Sequence, residues 1–454
     1  MRELVSGFDG VIVLVLFFII YLYCSKVQED NIETYHYYSH FKRAVLVKLL
    51  FGLLFACVYI FYYDGGDTQY YYTGARSIVR ITKKDFFAFI QLMAGERTPE
   101  LRSLFDYTTG WPTYFKDANS WAVCRFSVPF YLLGCGSYLG MTLMMDAFLF
   151  IPMWRFYRMV IRIYPRSQNY AAFALFYIPS VCFWGSGLLK DIWCLVGVLS
   201  VYYSCWMVFV RRKKVFGNIF RYLVWAYILT SIRPYAFYTV FVTSVVWIAL
   251  ILLRRLNNKM IQVAFFPLVA VFVIVMYAVF VDNMGDIAEG KYASVGSMME
   301  QAVIIQDDLK RDYYGTNSFD IGTFDASISG MLSKTPQALT AGLFRPFLWE
   351  ARTPFMLLSG VENFFLLVLS LLVLFKMRLN LFRVFIDDAF LLSLALFVVA
   401  FGFFIGLTIA NFGALVRYRI ILLPFLVIIL FRLRYLYKKA EEDDEEEEAE
   451  EFVS

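Results

Sequence analysis

The sequence predicts an all-α, polytopic integral membrane protein: a helical bundle of about eleven transmembrane helices. Two observations support this fold class. Of the 454 residues, 60% are hydrophobic and 20% aromatic, whereas only 17% are charged, and a soluble domain of this size does not need so much apolar surface. The apolar residues also come in many runs of the roughly 20 residues that cross a bilayer. We therefore expect one membrane domain, residues 1–437, and no separate soluble domain.

Hydropathy gives the position of each expected span. The segments lie near 8–24, 45–63, 125–153, 170–187, 192–210, 219–232, 236–253, 261–281, 355–375, 389–410 and 418–432. A separate short helix at 121–138 is an alternative reading of the third segment. Proline and glycine interrupt "FYIPSVCFWGSG" and "SIRPYAF", and broken helices at membrane depth are tolerated where they line a cavity walled by protein.

Lysine and arginine in the short loops predict the orientation. With the N-terminus outside, every loop on the cytoplasmic side is basic, including "RRKK", "KMRLNLFR" and "RLRYLYKK", as the positive-inside rule requires. The C-terminus is then cytoplasmic. The outer side holds two long extracytoplasmic loops, about 64–120 and 282–354, and tight turns around Lys190, Arg233 and Arg417.

The last residues differ in composition from the rest of the chain. Residues 438–454 contain the run "EEDDEEEEAEE", so the net charge of +5 hides a strongly basic membrane domain. Blocks of like charge repel one another and are usually solvated. We therefore predict a disordered acidic tail on the cytoplasmic side.

The first outer loop begins with "YYDGGDTQYYYTGA". Gly65 and Gly66 allow a sharp backbone turn. An interfacial helix is expected over residues 68–93, "TQYYYTGARSIVRITKKDFFAFIQLM", because its tyrosines suit the headgroup boundary. Asp64 and Asp67 could act as a general base or bind a divalent metal, Mg²⁺ or Mn²⁺. The alternative is that Asp64 caps the helix that follows.

Cations from distant parts of the chain fall on the same predicted side. They are Lys190 beside Asp191, Arg233, Arg345 and Arg352 flanking Glu350, and Arg417 and Arg419 after Asn411. Arginine binds phosphate as a bidentate fork and lysine as a point charge, so these residues predict a pocket for a phosphate or diphosphate. The alternative is that the cations snorkel and anchor helix ends.

Several classes are disfavoured by what the sequence lacks. Its two histidines, His36 and His40, both fall in a predicted cytoplasmic loop. This argues against an acyltransferase that needs an outer-side histidine and against a histidine-rich zinc site. No G-x-x-x-x-G-K-[ST] motif is present, which argues against an ATP-driven pump.

These motifs resemble a known class of membrane enzymes. The acidic motif in the first outer loop resembles that of the multispan GT-C glycosyltransferases, and "PSVCFWGSGLLKD", "RPY", "FRPFLWEAR" and "NFGALVRYR" are similar to bacterial O-antigen-polymerase-like polysaccharide assembly proteins. The resemblance implies a GT-C-like fold and a sugar donor linked to polyprenyl phosphate or diphosphate. It also implies that Asp64 or Asp67 is the base or a metal ligand, with Arg345 and Arg417 as catalytic arginines.

The expected function is therefore a glycosyltransferase or glycan polymerase of the bacterial inner membrane, acting at the extracytoplasmic face. Its partners would be the lipid-linked sugar, membrane lipids and other polysaccharide assembly proteins, with no nucleic acid. Two alternatives stay open. A lipid-linked glycan flippase or transporter would use the same cationic pocket without making bonds, and a non-catalytic envelope assembly subunit would act through its acidic tail.

Overall fold

The structure is a computed structural model that describes residues 7–255 and 318–453, together with Val5, Glu300, Val303, Ile304 and Asp308. Its elements in this part of the chain are helices, with one isolated antiparallel bridge between Ser318 and Asn411. The predicted all-α class is confirmed. The predicted span at 261–281, and residues 282–299 of the second long loop, lie outside the described residues.

The helices long and apolar enough to cross a membrane support a multi-pass membrane protein. The described residues contain eight of them, or nine if a pair bent by 61° counts as one span. The sequence predicted about eleven; one of them, 261–281, lies outside the described residues, and residues 177–178 divide another, expected at 170–187, into two short helices. Residues 134–137 divide the segment expected at 125–153 as well, but its second part, Tyr138–Ile163, is still long enough to count as a span. The break at 134–137 contains Gly134, and the break at 177–178 comes directly before Pro179. Glycine weakens a helix, and proline disfavours the helical conformation of the residue before it.

The described residues form two compact units. Unit 1 comprises 7–168 and 175–237, and unit 2 comprises 169–174, 238–255 and 318–453. The helices of unit 1 are α1 Gly7–Ile32, α2 Phe41–Phe61, α3 Asp67–Ile81, α4 Phe86–Ala94, α5 Pro99–Ser103, α6 Ala118–Leu133, α7 Tyr138–Ile163, α9 Pro179–Trp184, α10 Lys190–Cys205 and α11 Val215–Ile232, with 3₁₀ turns at His36–His40 and Thr113–Lys116.

Unit 2 holds the remaining helices, apart from α8 Gln168–Phe176 and the first residues of α12, which fall at the boundary of the units. They are α12 Pro234–Arg254, α13 Ile328–Ser333, α14 Thr335–Phe344, α15 Pro354–Met377, α16 Asn380–Asp387, α17 Ala389–Thr408, α18 Phe412–Arg419 and α19 Leu423–Val453, with a 3₁₀ turn at Leu348–Glu350. The bent pair is α18 with the first part of α19.

Short polar side chains fix where many of these helices begin. Asp117 caps α6, Ser137 caps α7, Asp388 caps α17 and Asn411 caps α18, each accepting a hydrogen bond from a backbone N–H of the first turn. Such caps satisfy amide groups that the helix itself leaves without a partner. They also set the positions of the helix ends, at or near which most of the candidate residues lie.

The helix predicted after the Asp-Gly-Gly-Asp turn is present, but it is shorter than expected. α3 begins at Asp67 and ends at Ile81, and a second helix, α4, starts after Asp85, whose carboxylate accepts hydrogen bonds from the N–H groups of Phe87 and Ala88. A strong N-cap therefore ends one helix and starts another within what was predicted as a single segment. On α3, Tyr71, Tyr72, Ala75 and Ile78 form one buried face at helical spacing.

In unit 2, α14 and α17 pack closely along a seam of small residues. A Cβ on Gly342 would lie 2.0 Å from the Gly402 carbonyl oxygen, and a Cβ on Gly406 would lie 1.8 Å from the Ala338 carbonyl oxygen. Small residues let helix backbones approach in membranes, where dispersion contacts rather than the hydrophobic effect drive association.

The acidic end of the chain differs from the prediction. α19 continues as helix to Val453, whereas we expected a disordered tail from residue 438. Glutamate and alanine are good helix formers, and extending an existing helix avoids the cost of nucleation.

We predict that Gly406→Ala lowers the free energy of unfolding by about 1–3 kcal/mol, because the new methyl group would overlap a backbone carbonyl of α14. Gly402→Ala is the matched control on the same helix, since its Cβ would meet flexible side chains and not backbone: Leu343 at 3.0 Å and Leu422 at 3.7 Å. Thermal unfolding of the two purified variants in detergent measures the difference. Equal unfolding temperatures would show that the seam is not closely packed.

Candidate functional site

The chain reverses sharply between α2 and α3. Asp64, Gly65 and Gly66 all have positive φ, at 50°, 140° and 115°, and the Gly65 N–H donates to the Tyr59 carbonyl at 3.1 Å. The predicted glycine turn is confirmed, because φ values of 140° and 115° are readily reached only by glycine. The N-cap residue of α3 is Gly66, so Asp64 does not occupy the capping position considered for it.

Asp67, the first residue of α3, is held by a tyrosine from the 3₁₀ turn Thr113–Lys116. The Tyr114 hydroxyl donates to the Asp67 Oδ1 at 2.6 Å. Burial raises the pKa of Tyr114, and the negative charge of Asp67 raises that pKa further. Tyr114 therefore stays protonated and remains a donor, which orients the half-buried Asp67 carboxylate.

Lys190, the first residue of α10, lies beside a second aspartate. Its Nζ is 3.5 Å from the Asp117 Oδ2, and the Lys190 side chain is 20% exposed. Burial acts to raise the pKa of Asp117, but the charge of Lys190 and hydrogen bonds from Ser120 outweigh it and hold that pKa below its usual value. The charge of Asp67 also acts on Lys190, at longer range than that of Asp117 and against the positive charge of Arg233.

Arg233, at the end of α11, forms a buried ion pair with Asp191 on α10. The Arg233 Nη2 lies 2.7 Å from the Asp191 Oδ1, and the two side chains are 5% and 0% exposed. Nearby, the Asn119 Nδ2 donates to the Ser231 carbonyl at 2.9 Å and joins α6 to the same end of α11. These contacts fix the start of α10 and thereby the base of the Lys190 side chain.

Unit 1 therefore brings together residues from the ends of several helices. Of the predicted site residues, Asp67, Lys190, Asp191 and Arg233 belong to this group, which we call the unit 1 cluster together with Tyr114 and Asp117. Asp64 lies in the turn before Asp67 and is exposed. Tyr114 and Asp117 were not predicted, although "DANSW" begins with the N-cap signature that places Asp117 at a helix start.

A different arrangement surrounds Arg345 in unit 2. Its Nε lies 3.0 and 3.1 Å from the two Glu350 carboxylate oxygens, and Glu350 also accepts the Phe347 N–H at 2.8 Å. The guanidinium carbon of Arg345 lies 4.4 Å from the centre of the Phe319 ring and 5.5 Å from that of Phe412. Stacking and the bidentate pair restrict this arginine to one geometry.

Arg419 is buried and bonds to protein groups. Its guanidinium donates to the carbonyl oxygens of Leu343 and Arg345 and to the Asn363 Oδ1, and the whole residue is 1% exposed. Asn363 in turn donates to the Pro346 carbonyl at 2.9 Å. These contacts hold the loop after α14, so Arg419 has an anchoring role, and phosphate binding by Arg419 stays a prediction.

The other predicted residues of unit 2 have varied surroundings. Asn411 caps α18 by accepting the Ala414 N–H at 3.2 Å. Arg417 is half-buried on the same helix, and Arg352 is exposed just before α15. Phosphate binding by Arg417 and Arg352 stays a prediction.

One buried ion pair in unit 1 was missed by the sequence reasoning. The Lys48 Nζ on α2 lies 3.3 Å from the Asp146 Oδ1 on α7, with side chains 7% and 0% exposed. Lys48 also donates to the Gly185 carbonyl at 2.6 Å, and Asp146 accepts the Gly187 N–H at 3.2 Å. The pair thus bonds to the non-helical segment between α9 and α10, whose backbone groups would otherwise be costly at membrane depth.

A glycine makes room for this pair. A Cβ on Gly52, one turn after Lys48 on α2, would lie 1.9 Å from the Asp146 Oδ2. The only sequence signal was a single acid and a single lysine within apolar runs. Intramembrane ionisable residues are a reason to search for a partner, but the two positions lie too far apart in sequence to be paired without the structure.

Asp64 and Asp67 are the predicted ligands of a divalent metal. Within the described ranges, no three His, Cys, Asp or Glu side chains form a group that could hold a metal ion. Asp67 already accepts a hydrogen bond from Tyr114, and the positive charge of Lys190 opposes a cation there. The described side chains give Asp64 and Asp67 no third protein ligand, so metal binding by these two aspartates stays a prediction.

Comparison with known proteins gives no match: no family model, no curated protein and no solved structure matches the chain.

We predict that Lys48→Met and Asp146→Leu are each strongly destabilising, by about 3–5 kcal/mol, because each leaves one uncompensated buried charge. The double variant should unfold at a higher temperature than either single variant, since both charges are gone. Wild type, the two single variants and the double variant are compared by thermal unfolding in detergent, which completes a double-mutant cycle. Strictly additive effects would show that the two charges do not interact.

We predict that Arg419→Lys lowers the stability of the protein by about 1–3 kcal/mol, because a lysine cannot reproduce donation to three separate acceptors. Arg352→Lys is the control, since Arg352 is exposed. The two variants are compared by thermal unfolding. Equal stability of Arg419→Lys and wild type would contradict the structural role assigned to Arg419.

Proposed function

We propose that this protein is a membrane glycosyltransferase or glycan polymerase that transfers sugar from a polyprenyl-phosphate- or polyprenyl-diphosphate-linked donor. The reaction is placed at the extracytoplasmic face of a bacterial inner membrane, in surface polysaccharide biosynthesis. The supporting observation is the unit 1 cluster, in which an oriented aspartate, Asp67, and a partly exposed lysine, Lys190, lie within electrostatic reach of each other.

Asp67 is the proposed general base. The hydroxyl oxygen of the acceptor forms a bond to the anomeric carbon of the donor sugar, the bond from that carbon to the phosphate oxygen breaks, and the hydroxyl proton passes to Asp67. A general base needs a fixed position within hydrogen-bond reach of the proton. Tyr114 gives Asp67 that position by donating to one of its oxygens.

Lys190 is the proposed ligand of the leaving phosphate. The phosphate gains negative charge as the glycosidic bond breaks, and a cation fixed beside it stabilises that charge in the transition state. The Lys190 side chain is 20% exposed, and its contact with Asp117 is a loose 3.5 Å. A lysine acts as a point charge without strict directionality, so it can follow the phosphate as it leaves.

Arg233 and Asp191 support Lys190 and do not contact substrate in this proposal. Both side chains are buried in their mutual ion pair, at the end of α11 and the start of α10. The pair therefore orients the helix that carries Lys190. In unit 1, the predicted phosphate pocket therefore has one partly exposed cation, Lys190, and the buried Arg233–Asp191 pair holds it in position.

A flippase for lipid-linked glycans is the second candidate, favoured by the Lys48–Asp146 pair. Ionisable residues inside spans often mark a transport pathway, and this pair is buried between two membrane helices. A flippase would move the lipid-linked sugar without making a glycosidic bond. The two functions therefore differ in whether new linkages appear in the product.

We predict that Asp67→Asn abolishes long surface polysaccharide while protein level stays at wild type, because an amide cannot accept the acceptor proton. Polysaccharide length is read on a gel, in a strain lacking the gene and restored with wild type or variant. Asp64→Asn is the matched control, since Asp64 is exposed in the adjoining turn, and it should restore wild-type length. Arg345→Ala tests the unit 2 arginine separately.

The pattern of products separates the candidate functions. Loss of the long ladder, with single lipid-linked units accumulating, is the outcome for a polymerase, and a mass lower by one sugar is the outcome for a single transferase. Wild-type glycan from Asp67→Asn would overturn the proposed mechanism, whereas Arg345→Ala bears only on the predicted role of the unit 2 arginine. Lipid-linked units that accumulate on the cytoplasmic side, with no change in linkage, would favour the flippase.

A further inference from the structure

A groove in unit 2 lies between the end of α15 and the middle of α19. Its volume is about 210 Å³, and its lining residues are Leu369, Leu372, Val373, Lys376, Met377, Leu433, Arg434, Tyr437 and Lys438. None of these residues belongs to the groups described above. The lining combines an apolar wall with a cationic rim.

Helices α15 and α19 each line one side of this groove. On α15, Leu369, Leu372, Val373 and Lys376 recur at helical spacing, so they share one side of the helix. Val373, Met377 and Leu433 are buried in the floor, at 5%, 5% and 2% exposure, whereas Leu372 is 53% exposed at the edge. An apolar ligand segment could therefore lie along the wall beside Leu372.

The groove lies where the apolar run of each helix ends. On α15 the run finishes at Phe375, directly before Lys376, and on α19 it finishes at Phe431, shortly before Arg434. A change from apolar to basic residues marks the bilayer interface. Both segments belong to loops that the distribution of Lys and Arg predicts to be cytoplasmic, and the cytoplasmic leaflet carries anionic lipid.

The rim has positive charge without internal compensation. Lys376, Arg434 and Lys438 are exposed, and no acid in the described part of the chain forms an ion pair with any of them. The Lys376 Nζ lies 4.5 Å from the centre of the Tyr437 ring, and the Tyr437 hydroxyl donates to Glu441.

We infer that this groove binds the headgroup of an anionic phospholipid, with the phosphate among Lys376, Arg434 and Lys438 and an acyl chain against Leu372. Basic pockets between membrane helices on the cytoplasmic side suit anionic headgroups. A soluble anion would gain only the charges and would leave the apolar wall uncovered. A lipid matches both the rim and the wall, and this inference does not depend on the proposed transferase activity.

The test is native mass spectrometry of the purified full-length protein with phosphatidylglycerol or with phosphatidylcholine of the same acyl chains. Wild type should retain phosphatidylglycerol in preference to phosphatidylcholine. The triple variant Lys376→Gln, Arg434→Gln, Lys438→Gln should lose this preference by about tenfold or more, because each cation near a headgroup contributes to binding.

The matched control removes the same charge elsewhere. Arg212→Gln, Lys213→Gln, Lys214→Gln alters three exposed cations of another predicted cytoplasmic loop, and it should keep the wild-type preference. Leu372→Trp fills the groove without changing charge, and it should weaken retention even if the triple variant does not fold. The lipid site would be overturned if the triple variant kept the wild-type preference and Leu372→Trp kept the wild-type retention. It would also be overturned if the control variant lost the preference equally, or if millimolar inorganic phosphate displaced the lipid.

Discussion

The ion pair between Lys48 and Asp146 is the interaction on which much of unit 1 depends. It joins α2 to α7 and bonds to the backbone of residues 185–187, where the chain leaves α9 before α10 begins. Unbonded backbone groups are costly at membrane depth, so charged side chains that satisfy them make the break possible. Because α10 begins at Lys190, soon after this segment, the position of the proposed phosphate ligand follows from a charge pair that takes no part in the reaction.

The candidate chemistry of unit 1 lies at helix ends. Asp67 and Lys190 are the first residues of their helices, Asp117 caps a third, and Arg233 follows a fourth. A span itself must be apolar, so its ends are where polar groups can face water and substrate while rigid helices fix them. The same division applies to the lipid groove of unit 2, where cations begin at the point at which the apolar runs stop.

Local patterns could be predicted from the sequence, and tertiary partners could not. The lengths of the apolar runs predicted the helical class, and Gly65 and Gly66 predicted the turn before Asp67. Both features depend on residues that are neighbours in sequence. The sequence predicted that Arg417 and Arg419 contribute to the same phosphate pocket. Two residues apart on a helix they face different directions, and the structure buries Arg419 against backbone carbonyls while Arg417 is only half-buried. The partner of Lys48 could not be predicted, since any acid in another apolar run was an equal candidate.

The contact of Gly52 with Asp146 has a consequence for how this protein can change over time. Lys48, Gly52 and Asp146 occupy one buried space, and a Cβ at Gly52 would overlap the carboxylate. Replacing any one of the three removes a charge partner or fills the space of another, so single substitutions pass through a less stable protein. Among descendants of this sequence, the three positions should therefore stay fixed or covary as a set, even where the surrounding apolar residues drift freely.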